Sequence, residues 1–200
     1  GRAAALAEHH AWSGGDRGDG AADCSTPRLV VAVVVEMGVG AGGGGGAGPD
    51  GGWLGHGNHE NCDTPTKIAS FEEYGATAKQ VACGDMHTLI LTDDGEVLSC
   101  GVGESGRLGT GNTDVCMTPT SIDALLNETV TQIAAGASCS YALTEGGDVY
   151  AWGTNARGQL GVSDTFIDVN SVEQFPVLVD LTELEGRRVN QVSACGSRAA

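Results

Sequence analysis

The sequence is poor in basic residues, in aromatic residues and in long hydrophobic runs. Ten Lys and Arg accompany 26 Asp and Glu, which gives a net charge of −16, and aromatic residues make up only 4% of the 200. Because such a surface repels phosphate backbones, we expect no direct nucleic-acid binding. The most apolar run, residues 30–35, is far shorter than the roughly 20 residues that span a bilayer. It also lacks a basic lead and a small-residue cleavage pattern, so we expect neither membrane insertion nor secretion.

Cysteine is present, but not in the patterns that bind metals or form disulfide scaffolds. The seven cysteines are odd in number and include no Cys-x-x-Cys pair. This usage predicts small core thiols in a reducing compartment, the cytoplasm or the nucleus. His56, His59, Cys62 and Asp63 lie close together in sequence. A metal site could be imagined there, but no second ligand pair at zinc spacing follows, so we expect no metal.

What the sequence does contain is a repeat. A phrase of the form Gly-x-Leu-Gly occurs three times, around Leu54, Leu108 and Leu160. Residues 82–97 align without a gap on residues 134–149, and a third copy begins at residues 193–196. The period of just over fifty residues lies near the upper end of the range for one supersecondary unit per repeat. The fold is therefore expected to be an array of similar units.

Within one unit, short apolar runs alternate with glycine turns. Residues 80–83, 87–92 and 96–100 are rich in β-forming side chains and predict three strands. Asp94-Gly95 supplies the positive-φ residues of a tight hairpin between the second and third strands, and Gly146-Gly147 repeats it. A proline-marked extended segment follows in each unit. About four antiparallel strands result, which is the size of one propeller blade.

The ordered motifs of this unit resemble the regulator of chromosome condensation repeat. Residues 151–161, Ala-Trp-Gly-Thr-Asn-Ala-Arg-Gly-Gln-Leu-Gly, match one half of that repeat, and residues 83–88 match the other half. The resemblance extends over residues 51–200 and implies a seven-bladed β-propeller in complete members. Two hundred residues hold about two and a half such units. We therefore expect a fragment with an all-β fold, a partial (open) β-propeller of four-stranded antiparallel blades.

Two parts of the chain are expected to differ. Residues 1–50 include an unbroken glycine run at residues 42–46 and predict a disordered or degenerate Gly/Ala-rich leader. Residues 51–200 are predicted to form the incomplete propeller, in units at about residues 51–94, 95–146 and 147–200. An open arc leaves its end blades with unpaired edges, which predicts marginal stability.

The repeat is loosely kept, and its departures bear on function. Cys100 occupies the place of Trp152, and Cys139 the place of His87. Plant ultraviolet-B photoreceptors of this family place a tryptophan between the glycine and the His-Thr pair, whereas residues 84–88 contain none. Photoreception is therefore not expected of this chain.

No motif predicts catalysis or a cofactor. Residues 101–106 fit Gly-x-Gly-x-x-Gly, but the glycines that follow would break the helix that a dinucleotide site requires, so we predict a repeat turn. His87 and Cys139 share one strand position, which favours a buried hydrogen-bonded imidazole and an inert core thiol. Asp93-Asp94 resembles a carboxylate pair for acid–base work, yet Asp94 is the turn partner of the following glycine. The binding residues are not identifiable from sequence.

The function that the family resemblance implies is a non-catalytic protein-interaction platform. Loops at residues 104–112 and 155–168, together with the polar connections between units, are expected to form its contact face. The acidic surface favours a basic protein partner. Two alternatives also follow from the resemblance. One is a guanine-nucleotide exchange factor or regulator of a small GTPase, although the element that would displace the nucleotide is not recognisable in this chain. The other is the substrate-binding arm of a larger ubiquitin ligase or kinase, and it leaves open whether a full-length parent is an enzyme.

Overall fold

Two four-stranded antiparallel sheets dominate the computed structural model of this chain. The structure describes residues 51–60, 66–73, 75, 77–162, 171–184, 187–195 and 198–199, so the predicted leader at residues 1–50 lies outside them. The first sheet contains β1 Ala78–Cys83, β2 His87–Thr92, β3 Val97–Gly101 and β4 Cys116–Ser121. The second contains β5 Val130–Ala135, β6 Cys139–Thr144, β7 Val149–Thr154 and β8 Val172–Leu178. A two-stranded pair follows, β9 Ala194–Cys195 and β10 Arg198–Ala199.

Each four-stranded sheet runs in sequence order, with every strand antiparallel to the next. This is the order of a propeller blade, so the predicted all-β, partial propeller is confirmed. The predicted strand runs agree with β1, β2 and β3 to within two residues at each end. The sequence does not predict the short helix α1 Ala69–Glu73 that precedes the first sheet. Short 3₁₀ turns occur at Glu104–Gly106, Asp123–Leu125 and Thr182–Leu184.

The hairpin between the second and third strands of each sheet has the predicted chemistry. Gly95 and Gly147 adopt φ of +91° and +92°, a region that glycine enters without a Cβ clash. The Gly95 N–H donates to the Thr92 carbonyl at 3.2 Å, and its counterpart Gly147 donates to the Thr144 carbonyl at 3.1 Å. In the first sheet the Asp94 carboxylate also accepts a hydrogen bond from the Thr92 hydroxyl. The acidic pair therefore belongs to the turn, as predicted.

The two sheets share one hydrophobic core. Its buried members come from both sheets and from the segment between them: Leu89, Leu91, Val97, Ile122, Leu125, Val130, Ile133, Ala142 and Trp152. Burying one aliphatic side chain of this size is worth about 1.5–3 kcal/mol. Because the blades bury these side chains against each other, much of the stability of each sheet depends on the presence of its neighbour.

The glycine-rich phrase of one unit packs on the next sheet. The loop after β3 carries Gly109 and Gly111 onto the second sheet, where the Gly111 N–H donates to the Gln174 carbonyl at 3.0 Å. A Cβ on Gly109 would lie 2.8 Å from Trp152 Nε1. Residues 52–57 make the equivalent contact with the first sheet, since the Gly57 N–H donates to the Met117 carbonyl at 2.9 Å. The repeat phrase is therefore a connection between blades.

This packing corrects one prediction about residues 104–112. They were expected to form part of an exposed contact face, but Gly106, Arg107, Leu108 and Gly109 are all buried. Close approach of the loop backbone to the second sheet removes these residues from solvent. Only the two ends of the loop, Glu104 and Asn112, are exposed. In the second predicted loop, residues 155–168, the part beyond residue 162 lies outside the described residues.

Candidate interaction surface

A chain of buried hydrogen bonds joins the two blades at His87. Its Nε2 lies 2.8 Å from the Ser140 hydroxyl, and that hydroxyl donates to the Arg107 carbonyl at 2.8 Å. The serine proton is thereby used, so the serine oxygen must accept from His87, which assigns the neutral Nε2–H tautomer. Trp152 Nε1–H donates to the same carbonyl at 2.9 Å. The Arg107 carbonyl in the connecting loop therefore accepts hydrogen bonds from side chains of two neighbouring strands, β6 and β7.

His87 is unsuited to carry a proton near neutral pH. Burial, and secondarily the positive charge of Arg107, lower the pKa of His87 to about 3. The other ring nitrogen, Nδ1, has no hydrogen-bond partner among the residues that the structure describes. Protonation would therefore place a second buried charge beside an arginine. The prediction of a buried, hydrogen-bonded structural histidine is confirmed.

The equivalent position in the second sheet, Cys139, is also buried, with 1% of its surface exposed. The Tyr141 hydroxyl lies 3.5 Å from the Cys139 sulfur and donates to the Gln159 carbonyl at 2.8 Å. This is the environment of a packed core thiol, with a phenol as its polar neighbour. The structure therefore gives this cysteine the role that the sequence predicts for it.

Two glutamines also join neighbouring blades, and sequence reasoning missed both. Gln80 Nε2 donates to the Ile133 carbonyl at 2.8 Å, while Gln80 Oε1 accepts from the Ile133 N–H at 3.0 Å. Gln132 makes the same pair with Val192, at 3.1 and 3.0 Å. We call this pair of hydrogen bonds a glutamine clasp. The signal was visible in the sequence: a glutamine stands at the same place in both copies of this strand, directly before a β-branched apolar residue.

The two ends of the sheets carry different charges. The connections after the second and fourth strands lie at one end, which we call the turn face: residues 93–96, 122–129, 145–148, 179–184 and 187–190. Their turns are joined across blades, since the Val130 N–H donates to the Gly95 carbonyl at 3.2 Å. The described turn face carries nine Asp and Glu but two arginines, Arg187 and Arg188. It is therefore strongly negative.

A groove of about 480 Å³ opens on the turn face beside the second hairpin. Glu128, Glu145 and Asp148 contribute carboxylates to its lining. Arg188 is the basic residue of the lining, and its guanidinium donates to the main-chain carbonyls of Gly146 and Glu145 at 2.8 and 3.4 Å. With three carboxylates and one guanidinium in its lining, the groove keeps a net negative charge.

The opposite end is less acidic. We call it the loop face: residues 84–86, 102–115, 136–138 and 155–162. It carries three acidic residues, Asp85, Glu104 and Asp114, and two arginines. One of the two, Arg107, is 5% exposed, and burial lowers its pKa. Charge on the described part of the chain is therefore concentrated on the turn face.

The remaining sequence candidates give no site in the described part of the chain. His56 and His59 lie within it, whereas Cys62 and Asp63 lie outside. No group of three His, Cys, Asp or Glu side chains suited to a metal occurs among the described residues. Residues 101–106 form the start of the connecting loop between blades, with a 3₁₀ turn at Glu104–Gly106. No helix of the described residues is long and apolar enough to cross a membrane.

Comparison with known families agrees with this architecture. The regulator of chromosome condensation (RCC1) repeat matches residues 49–91, 94–143 and 146–199. The chain belongs to the RCC1 repeat family. A second description of the RCC1 repeat matches residues 78–107 and 130–159, which begin at β1 and β5.

Curated RCC1 repeat proteins match over much of the chain. It is 43% identical over 115 residues to the ultraviolet-B receptor UVR8 of Arabidopsis thaliana, covering 58% of this chain and 26% of the receptor. It is 39% identical over 147 residues to the E3 ubiquitin-protein ligase HERC2 of Homo sapiens, covering 74% of this chain and 3% of the ligase. The inhibitor of Bruton tyrosine kinase from Homo sapiens is 33% identical over 141 residues, which cover 70% of this chain and 10% of the inhibitor. The chain thus spans about a quarter, or far less, of these relatives.

Solved structures show the same fold. Human WBSCR16 superposes with a TM-score of 0.59 at 25% identity, over 74% of this chain and 36% of that chain. Prp20p of Saccharomyces cerevisiae, whose structure was reported with its binding properties to Gsp1p and histones, gives a TM-score of 0.63 at 20% identity. That match covers 85% of this chain and 38% of Prp20p. At this identity the likeness to Prp20p concerns the fold.

Proposed function

We propose that this RCC1 repeat chain is a non-catalytic protein-interaction platform that binds a basic protein surface through its turn face. The observation that carries the proposal is the imbalance of nine carboxylates against two arginines on that face. A concentrated negative surface raises the rate of encounter with a positive partner and orients it before contact. The reducing compartment implied by the cysteines, cytoplasm or nucleus, is the proposed location.

The relatives support a binding role of this kind. Prp20p, which shares the fold, was studied for binding to Gsp1p and histones, and histones are basic proteins. On the turn face of this chain, several carboxylates are exposed and make no hydrogen bond among the described residues, including those of Asp123, Glu145 and Asp148. Exposed charges act mainly on association rate and on salt dependence. The expected complex is therefore formed quickly and weakened by salt.

A charge-matched pair of variants tests the proposal. The turn-face variant carries D123N, E145Q and D148N, and the loop-face variant carries D85N, E104Q and D114N, so each loses three exposed carboxylates. The probe is a purified core-histone mixture, measured by biolayer interferometry at several salt concentrations. We expect the turn-face variant to bind on the order of tenfold more weakly and with a smaller salt slope. The loop-face variant should change less than twofold.

Two outcomes would contradict the proposal. Equal weakening by both variants would mean that net charge, not the turn face, determines binding. If the wild-type chain does not bind histones at low salt, the proposal that it binds basic proteins is wrong. Circular dichroism of each variant checks that the sheets are intact.

Regulation of a small GTPase is the second candidate, favoured by the structural likeness to a protein studied for binding to Gsp1p. Such a regulator lowers nucleotide affinity through differential binding, without a covalent step. Release of a labelled guanine nucleotide from purified GTPases measures it, and an unchanged rate would reject it. The match to HERC2 also keeps open a role as the substrate-binding arm of a larger ligase.

A further inference from the structure

The acidic connection that follows β8 contains one side-chain hydroxyl, that of Thr182. In residues 180–185, Asp-Leu-Thr-Glu-Leu-Glu, carboxylates stand two residues before this threonine and one and three residues after it. Thr182 is exposed. We propose that Thr182 is a phosphorylation site for a protein kinase that recognises acidic substrates, and that the added phosphate strengthens binding of a basic partner to the turn face. The second half of this proposal rests on the proposed function.

The charges around the hydroxyl identify the class of kinase. Kinases discriminate between substrates partly by the pattern of charge beside the acceptor residue. Glu183 and Glu185 directly follow the hydroxyl, whereas the basic residues Arg187 and Arg188 stand five and six positions beyond it. A kinase with a basic substrate groove attracts this segment, and a kinase with an acidic groove repels it. The sequence therefore fits an acidophilic enzyme.

The reaction is phosphoryl transfer from ATP. The Thr182 hydroxyl oxygen forms a bond to the γ-phosphorus, the bond from that phosphorus to the β–γ bridging oxygen breaks, and ADP leaves. The hydroxyl proton passes to the catalytic carboxylate of the kinase. In the unmodified chain this hydroxyl donates to the Asp180 carboxylate at 2.7 Å. Because that hydrogen bond is exposed, water can replace it, and the oxygen is accessible to the kinase.

Thr182 stands at a place in the repeat that stays exposed when the following blade is present. It begins the 3₁₀ turn Thr182–Leu184, as Asp123 begins the turn Asp123–Leu125 in the preceding unit. In both turns the N–H of the third residue donates to the carbonyl of the residue before the turn, at 2.9 Å. The preceding unit is followed by the blade of β5 to β8, and there Leu125 is buried while Asp123 remains exposed. A further blade beside Thr182 is therefore expected to leave its hydroxyl accessible.

Two other described hydroxyls have a carboxylate three residues after them, and the structure makes both poorer acceptors. Ser70 is followed by Glu73, but its hydroxyl oxygen is buried. Thr120 is followed by Asp123, but it lies within β4 and pairs with Ser99 of the neighbouring strand. Thr182 instead lies in a connection, where the backbone adapts to a kinase groove without loss of sheet hydrogen bonds.

A phosphate at Thr182 would add to the charge of the turn face without a clash with the fold. A phosphothreonine carries a charge of about −1.5 to −2 at neutral pH, and the face already has nine carboxylates against two arginines. The preceding unit carries a carboxylate, Asp123, at the same position, so the repeat accommodates a negative group there. The added charge should raise the association rate of a basic partner and steepen its salt dependence.

Incubation of the folded 200-residue chain with ATP and a purified casein kinase, an acidophilic enzyme, tests the site. Peptide mapping by mass spectrometry should find phosphate at Thr182 in the wild type, in T120A and at the same position in T182S. The double variant E183Q/E185Q keeps the hydroxyl and should be modified at this position about tenfold more slowly. Wild-type chains without phosphate at Thr182 overturn the proposal, and so does an unchanged rate for E183Q/E185Q. Circular dichroism checks that the sheets of each protein are intact during the reaction.

Histone binding after kinase treatment tests the effect on the turn face. Wild type and T182A receive the same treatment, so that phosphate elsewhere in the chain is common to both. Biolayer interferometry with core histones should show that the treated wild type binds about threefold or more tightly and with a steeper salt slope. Equal binding by the two treated proteins overturns the second half of the proposal. If the untreated wild type does not bind histones, the proposed function fails, whereas phosphorylation at Thr182 is decided separately by the mass spectra.

Discussion

Lowering the pH should destabilise this fold through His87. The pKa of that imidazole is lowered to about 3 by burial, assisted by Arg107, whereas an imidazole in the unfolded chain titrates near 6.5. The unfolded chain therefore binds a proton first as the pH falls. The stabilisation is fully present above the unfolded pKa, and it is lost progressively as the pH drops from about 6.5 toward 3.

The size of the effect follows from these two pKa values. At pH 5 the unfolded chain is almost fully protonated at this residue and the folded chain is almost fully neutral. The free energy of unfolding should then be about 2 kcal/mol lower than at pH 7. With a denaturant slope of roughly 1–3 kcal/mol per molar urea, the midpoint should move by about 1 M. Among the residues that the structure describes, His87 Nδ1 has no hydrogen-bond partner that could accept an added proton, which agrees with this direction.

Urea unfolding of the wild type and of H87Q, followed by circular dichroism at several pH values from 7 to 5, measures the effect. The glutamine amide can still donate to Ser140 but does not titrate, so the variant should lose most of the pH dependence. The difference between the two proteins in how their free energy of unfolding changes with pH isolates the titration of this residue. A loss of stability that the substitution causes equally at every pH cancels in that difference. Parallel curves for the two proteins would refute the reasoning. A direct NMR titration of the imidazole with a midpoint above pH 5 would refute it independently.

Three further changes follow from the contacts between blades. Q80A leaves the peptide groups of Ile133 without their clasp and should lower the free energy of unfolding by about 1–3 kcal/mol in urea unfolding. G109A should lower the melting temperature clearly more than G75A does. Both glycines have φ near +70°, but a Cβ at Gly109 would meet a tryptophan ring, whereas a Cβ at Gly75 would meet nothing within 4 Å. The free energy of unfolding of R107Q should stay within about 1 kcal/mol of the wild-type value in thermal unfolding, because the main-chain carbonyl remains and a desolvated charge is removed. A larger loss would show that the guanidinium itself holds the loop.

The local structure of each blade could be predicted from the sequence because its signals are local. The hairpin at Asp94-Gly95 and the apolar run of β2 lie within a few residues of one another, and their chemistry specifies turn and strand directly. What the sequence did not reveal is which blade each side chain touches. Arg107 and Trp152 are 45 residues apart, and nothing in the repeat phrase around Arg107 states that its loop lies on the following sheet. The same limit explains why residues 104–112 were expected to be exposed.

The loose conservation of the repeat has a physical basis in the connecting loops. The acceptor that each loop presents to the sheet beneath it is a main-chain carbonyl. The Trp53 carbonyl accepts from Thr88 and Cys100 in the first sheet, as the Arg107 carbonyl accepts from Ser140 and Trp152 in the second. A carbonyl does not change when its side chain does, so tryptophan and arginine can both occupy this position.

The same argument identifies which residues of the loop are constrained. The carbonyl reaches its donors only if the loop backbone lies close to the sheet, and that approach depends on glycines with positive φ on either side. Gly106 and Gly109 have φ of +68° and +73°, and a Cβ on either would lie within 3 Å of the second sheet. The buried polar contacts between blades therefore depend on the positions of glycine more than on the side chain of the residue that supplies the carbonyl. A repeat can keep its fold while that side chain varies.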